Sequence, residues 1–379
     1  MDAPVPTMPK LGLARPAALL LAALAVALSP ALVPRARAAE STRANDTARF
    51  LAGLPPLADA ALIGLAKEAT WQQHARAFDN AWASLEKRQL SKIRAWAAAN
   101  IATPQPVAFY MFSGPDYLYV DAFLPNRSTY VLAGLEPVGQ IPLITAASRG
   151  TLSYGLAGLR GSLGTVLSYS FFITKKMRSS LSGSTFRGTL PILYIFLARA
   201  GKTVHEVSLV SINADGTTVP TSQEGAQSTA PGVKIVFSNG DGPKQTLYYF
   251  RTDISDHGLK SSGFLKFCEQ LGKGDSFLKS ASYLPHSDSF SKIREFLLAN
   301  SHALVQDDSG IPLRFFKPDE WRLRPFGRYL GPIGEFPGRY QKGLNDLFHR
   351  SNAPRIDFGV GYRWRPNESN LLLAERKAR

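Results

Sequence analysis

The segment 279–286 packs the residue types that chemistry needs most closely together. Lys279, Ser282, Tyr283 and His286 stand at i, i+3, i+4 and i+7. On a helix that spacing puts them on one face, with Phe277, Ala281 and Leu284 opposite. A Lys beside a hydroxyl lowers its pKa by charge, and a His moves protons, so Lys279, Tyr283 and His286 are candidate catalytic residues. The competing reading is a polar helix face that meets solvent. Pro285 also disfavours helix just before His286. A second candidate is Asp307-Asp308-Ser309-Gly310. Adjacent carboxylates can share a metal or divide acid and base roles. In an extended segment, however, they point to opposite faces, and Asp-Ser-Gly is also turn chemistry. The third is the stretch 321–340, where Arg322, Arg324, Arg328 and Arg339 interleave with Phe326, Tyr329, Phe336 and Tyr340. Arginines and rings together grip anionic or sugar ligands by forked hydrogen bonds and stacking. A loop with its rings inward and its arginines outward has the same composition.

Other strings fail on inspection. Gly201-Lys202-Thr203 ends like a phosphate-binding loop, but Phe196 stands where that loop needs its first glycine. Ser276 and Ser289 each precede a Lys by three, as in penicillin-recognising enzymes, without the Ser-Asp-Asn or Lys-Thr-Gly partners. The six His are scattered with no His-x-x-x-His pair, so no metal site is expected, and no cofactor fingerprint is present.

Helices and strands must position these groups. Trp71, Phe78, Trp82, Leu85, Ile93 and Trp96 form one helical stripe, closed by Pro104 and Pro106. Strands are expected over 107–112, 128–135, 207–212, 233–237, 246–250, 303–306, 312–316 and 356–362. Asp215-Gly216 and Asn239-Gly240-Asp241-Gly242 supply hairpin turns. The region 147–200 reads as generally helical, with Gly155, Gly158, Gly161 and Gly164 recurring every third residue and helices over 170–181 and 189–200; further helices are expected over 262–271, 276–284 and 289–300. Segment 117–124 is ambiguous between helix and strand. Helices and strands come in blocks, which points to an α+β fold with antiparallel hairpins and packed helices.

The amino end speaks of location. Lys10 and Arg15 precede an uncharged run from 16 to 34, and Ala36-Arg37-Ala38 is a small-x-small site. That pattern reads as an export signal cleaved after residue 38 and a periplasmic or secreted product. The alternative is an uncleaved inner-membrane anchor over 16–34, which is long enough to span. No later run is. The remainder divides into a helix-rich part 39–200 and an α+β part 201–379, or forms one domain over 60–379. The chain carries net charge +15 and a single Cys, Cys268, which has no internal partner and reads as a small buried hydrophobe. Outside the cytoplasm, the basic balance suits anionic envelope polymer or lipid headgroups better than nucleic acid.

The phrases Met111-Phe112-Ser113-Gly114-Pro115-Asp116, Lys279-Ser280-Ala281-Ser282-Tyr283-Leu284, Gln306-Asp307-Asp308-Ser309-Gly310-Ile311-Pro312 and 328–336 together resemble an uncharacterised family of exported bacterial proteins. That resemblance implies no activity. The residues themselves favour non-catalytic binding at the cell envelope through Arg322, Arg324, Arg328, Tyr329, Arg339 and Tyr340. The alternative is a hydrolase or transferase using Lys279, Tyr283 and His286 with Asp307 or Asp308.

Overall fold

The structure is a computed structural model that describes residues 32–169, 186–221 and 230–377. The chain divides into two compact units, 1–38 and 39–379. The second is built on one ten-stranded sheet that joins strands from both sides of residue 201.

In chain order the elements are α1 (Leu32–Leu51), α2 (Ala60–Leu65), α3 (Ala69–Leu85), α4 (Ser91–Asn100), β1 (Val107–Tyr110), α5 (Tyr117–Phe123), β2 (Thr129–Gly134), α6 (Arg149–Tyr169) and α7 (Leu190–Arg199). There follow β3 (Lys202–Ile212), β4 (Thr218–Pro220), β5 (Ala230–Asn239), β6 (Lys244–Arg251), α8 (Phe264–Gln270), β7 (Gly274–Leu278), α9 (Ser291–Asn300), β8 (Ser301–Gln306), β9 (Trp321–Gly327), α10 (Lys342–Arg350) and β10 (Asn370–Arg376).

The sheet order is β4-β3-β5-β6-β2-β1-β7-β8-β10-β9. Its middle five strands, β6-β2-β1-β7-β8, are parallel. The flanks β4-β3-β5-β6 and β8-β10-β9 are antiparallel. The α+β class therefore holds, while antiparallel hairpins describe the flanks and not the centre. The reason is burial on both faces. Val107, Phe109 and Met111 pack on one side of the sheet with α8 and α9, and Ala108 and Tyr110 pack on the other with α3, α5 and α7. Parallel strands covered on both sides read as near-continuous apolar runs and lose the alternation that marks a hairpin.

Several expectations change for local reasons. The tryptophan stripe is helical as expected and buried except for the half-buried Trp96, but one wide turn at Glu86–Leu90 joins α3 to α4. Segment 117–124 is helix α5, with Asp116 at its N-cap accepting from the Tyr119 N–H (3.2 Å). Segment 276–284 is no helix: it is the end of β7 followed by a turn in which Ser280, Ser282 and Tyr283 all have φ near +50°. Segment 312–316 is a short turn of 3-10 helix, and 356–362 is loop with an isolated bridge between Val360 and Arg363. The helix expected at 170–181 lies outside the described residues. Gly155 has a packing reason, since a Cβ there would meet the Phe186 ring at 2.8 Å, whereas Gly161 and Gly164 face open space. Cys268 is buried, and burial pushes its thiol well up, as a packed hydrophobe requires. No helix among the described residues is long and apolar enough to cross a membrane.

Candidate functional site

From β1 the chain builds outward to β2 and β6 on one side, then crosses back to place β7 and β8 on the other. The strand order thus reverses between β1 and β7. In open sheets of this kind, ligands bind beyond the carboxyl ends of the strands at that reversal, because the loops there diverge to opposite faces and leave a crevice. A cleft of about 240 Å³ lies there. Its walls are largely apolar, with Phe112, Ile254, Leu284 and Phe290 among them. The Phe112 and Phe290 rings stand 6.0 Å apart.

Two strand ends supply its polar floor. Asp116 follows β1 and Lys279 follows β7, and both are almost fully buried. Lys279 Nζ donates to Asp116 Oδ2 (2.8 Å) and lies 4.2 Å from the centre of the Tyr119 ring. The Tyr110 hydroxyl donates to the same carboxylate oxygen (3.2 Å). Such a pair is held by geometry and is costly to break on one side only. Beside it, Thr252 follows β6 and Ser280 follows Lys279. The buried hydroxyl oxygens of both lack a partner among the described residues. An unsatisfied buried polar atom costs stability, so in a cleft it marks a place where a ligand or water completes the set.

The turn 279–283 has a second side. Asp307 Oδ2 accepts from the Ser280 N–H (2.9 Å), and Ser309 Oγ accepts from the Ala281 N–H (2.8 Å). The Tyr362 hydroxyl receives the Ser282 N–H (3.2 Å) and donates to the Ser280 carbonyl (3.0 Å). Asp307 Oδ1 accepts from the Ser309 N–H (3.0 Å) and hydroxyl. Asp308 is equally engaged, accepting from the Tyr283 hydroxyl (2.7 Å) and Asn370 Nδ2 (3.0 Å). These bonds hold three non-glycine residues in the left-handed region, where each costs about 1–3 kcal/mol. Burial, and then the neighbouring Asp308, push the Asp307 carboxyl up to about 6. Burial also raises Asp308 and drives His286 down to about 4, so its imidazole is neutral at ordinary pH.

The expected catalytic set therefore divides. Lys279 lines the cleft. Tyr283, His286, Asp307 and Asp308 sit behind the turn, where the Tyr283 ring meets His286 edge-on at 5.2 Å and stacks on Tyr362 at 6.2 Å. Among the described residues, no group of three His, Cys, Asp or Glu could hold a metal ion.

The arginine-rich stretch is an edge strand and the loop after it. Arg322 and Arg324 lie on β9, and Arg324 is tied to Glu375 (3.0 Å) and the Asn100 carbonyl (2.7 Å). Phe326 packs inward on Trp96, and Phe336 on Tyr283. Tyr329 is buried, accepts from the Gln341 N–H and stacks against Tyr340, while Arg328 and Arg339 are exposed. A larger groove, about 670 Å³, runs past Lys273, His302, Lys317, Trp321 and Arg376 at the amino ends of β7 and β8. Lys317 and Arg376 both pair with Glu320 there. The smaller cleft at the strand reversal is the better candidate, because its polar floor is incomplete.

Sequence reading missed Asp116, Glu136, Thr252 and Ser280. Asp116 carried a signal in the turn Ser113-Gly114-Pro115-Asp116 just after a strand. Thr252 had none, since its role follows from the pairing of β6 with β2. No family model matches the chain, and no curated protein or solved structure matches it either.

Proposed function

We propose that this is an exported protein that binds a small organic molecule in the cleft between the ends of β1 and β7. The observation that carries the reading is the unpartnered Thr252 hydroxyl, buried on the floor of an apolar-walled cleft beside the Lys279–Asp116 pair. That combination, apolar walls with a few fixed polar groups, is what small-molecule sites are made of. Export is carried by the pattern of the first 38 residues.

A polymer-binding surface on 321–340 has less support, because Arg324 is already bonded and the rings are largely packed inward. A hydrolase or transferase using Lys279 with Tyr283, His286 and Asp307 or Asp308 would need those groups in one compartment, and Tyr283 is bonded to Asp308 behind the turn.

The test is a thermal-shift screen of small metabolites against the purified protein and against Leu284→Trp. Leu284 is 38% exposed at the cleft wall, so the larger ring fills the opening without entering the core. Compounds that raise Tm should lose their effect in the variant. Compounds that stabilise both proteins equally would place the ligand elsewhere and overturn the reading.

A further inference from the structure

Glu136, two residues past the end of β2, is 5% exposed and lines the cleft. Two glycines make room for its carboxylate. A Cβ on Gly134 would stand 2.6 Å from Glu136 Oε2, and one on Gly114 would stand 3.5 Å from it. The Tyr249 hydroxyl lies 3.4 Å from the carboxylate, long for an O–H···O bond, and its single proton has the Glu136 carbonyl as a closer acceptor at 2.8 Å. Lys279 is the cation among the cleft's described lining residues, and it bonds Asp116 instead. No ion pair involves Glu136 among the described residues, in contrast to the partly buried Asp121, which is met by Lys202 at 3.0 Å. The lining thus holds three carboxyls, Asp116, Glu136 and Asp253, against one ammonium that is already paired.

We propose that the ligand of this cleft carries an organic ammonium group and that Glu136 receives it; the proposal rests on the cleft being the ligand site. A buried carboxylate without a counter-charge is expensive, and an incoming cation removes that cost. Thr252 Oγ1 is a second acceptor for the ammonium N–H groups, and it follows β6 where β6 pairs with β2, the strand that leads to Glu136. The Phe112 and Phe290 rings line the cleft 6.0 Å apart and supply aromatic surface for a cation or its apolar stem. An anion would meet the opposite field: its one attractive partner is occupied and the remaining charges repel it.

The experiment compares benzylamine, benzyl alcohol and benzoate on the full chain near neutral pH, by calorimetry and by mapping of amide NMR shifts around the cleft. These probes share a ring and differ in the charge of the head. Benzylamine should bind at least about tenfold more tightly than benzyl alcohol, as a charge-assisted bond requires, with benzoate weakest. In Glu136→Gln the preference for the amine should vanish while benzyl alcohol binding stays within about twofold. Equal affinity for amine and alcohol in the wild-type chain would overturn the ammonium proposal and leave the cleft standing as a site. So would a preference that survives Glu136→Gln. If none of the three perturbs cleft residues, both proposals fall. The wild-type comparison does not depend on the variant folding.

Discussion

The turn after β7 has two polar sides, and they are finished to different degrees. Behind it, every carboxylate oxygen of Asp307 and Asp308 has a donor, and Tyr362 and Ser309 complete the backbone bonds of residues 280–282, although the buried His286 Nε2 has no partner among the described residues. In front of it, the Lys279–Asp116 pair is complete, but the hydroxyls of Ser280 and Thr252 have no partner among the described residues, and the Tyr249 hydroxyl, 3.4 Å from the Glu136 carboxylate, has the Glu136 carbonyl closer at 2.8 Å. Both sides are buried, and both are made of the residue types that suggest catalysis. The difference teaches that residue type identifies polar clusters, whereas satisfaction separates the scaffold from the site. A finished cluster holds the backbone where it costs energy to be, and an unfinished one waits for something.

The harshest way to break the comparison is to remove one member of the buried pair. Lys279→Met leaves the Asp116 carboxylate uncompensated and should cost about 3–5 kcal/mol in urea unfolding. Adding Asp116→Asn to it should recover much of that loss, because the buried charge goes too.

Next comes the scaffold side. Asp307→Ala strips the acceptor from the Ser280 and Ser309 N–H groups and should cost about 1–3 kcal/mol. Because the turn is then released from its left-handed conformation, affinity for a cleft ligand should fall as well, read by the same binding assay.

The cleft side should behave in the opposite way. Thr252→Val replaces an unsatisfied hydroxyl by a methyl of the same shape. Stability should be unchanged or rise by up to about 1 kcal/mol while ligand affinity drops. A clear loss of stability would mean that this hydroxyl is part of the scaffold after all.

The smallest effect is in pH. Asp307 has its folded pKa raised from 3.8 to about 6, so its contribution is fully present below about pH 4 and is lost as pH rises through 6. His286 has its folded pKa lowered from 6.5 to about 4, so its contribution is present above pH 6.5 and is lost as pH falls toward 4. The two slopes oppose each other across one window, and their net is shallow. His286→Gln should expose the Asp307 slope: relative to wild type, the variant becomes more stable as pH is lowered from 6.5 to 4.

Much of the frame was legible in the sequence. The tryptophan stripe, the apolar helix α7 and the β5–β6 hairpin with its Asn-Gly-Asp-Gly turn follow from local periodicity and turn chemistry. The centre was harder. β7, Gly274 to Leu278, is short and fully buried, and a helical spacing of polar residues just after it outweighed five residues of strand. Parallel pairing is non-local, so nothing near residue 107 or 274 announces that those strands are neighbours. The site follows the same rule. Lys279 could be singled out by type, but its partner Asp116 is 163 positions earlier in the chain and was noticed as a turn residue. Thr252 and Glu136 become visible when the strand order brings three loops to one cleft.

The claim that the reversal between β1 and β7 is where this protein meets its ligand can be tested most directly by soaking crystals of the full chain in a mixture of small organic compounds. Density should gather between Phe112 and Phe290, above Thr252 and Ser280. Compounds collecting in the groove beside Lys273 and Arg376, with the cleft holding none, would contradict it.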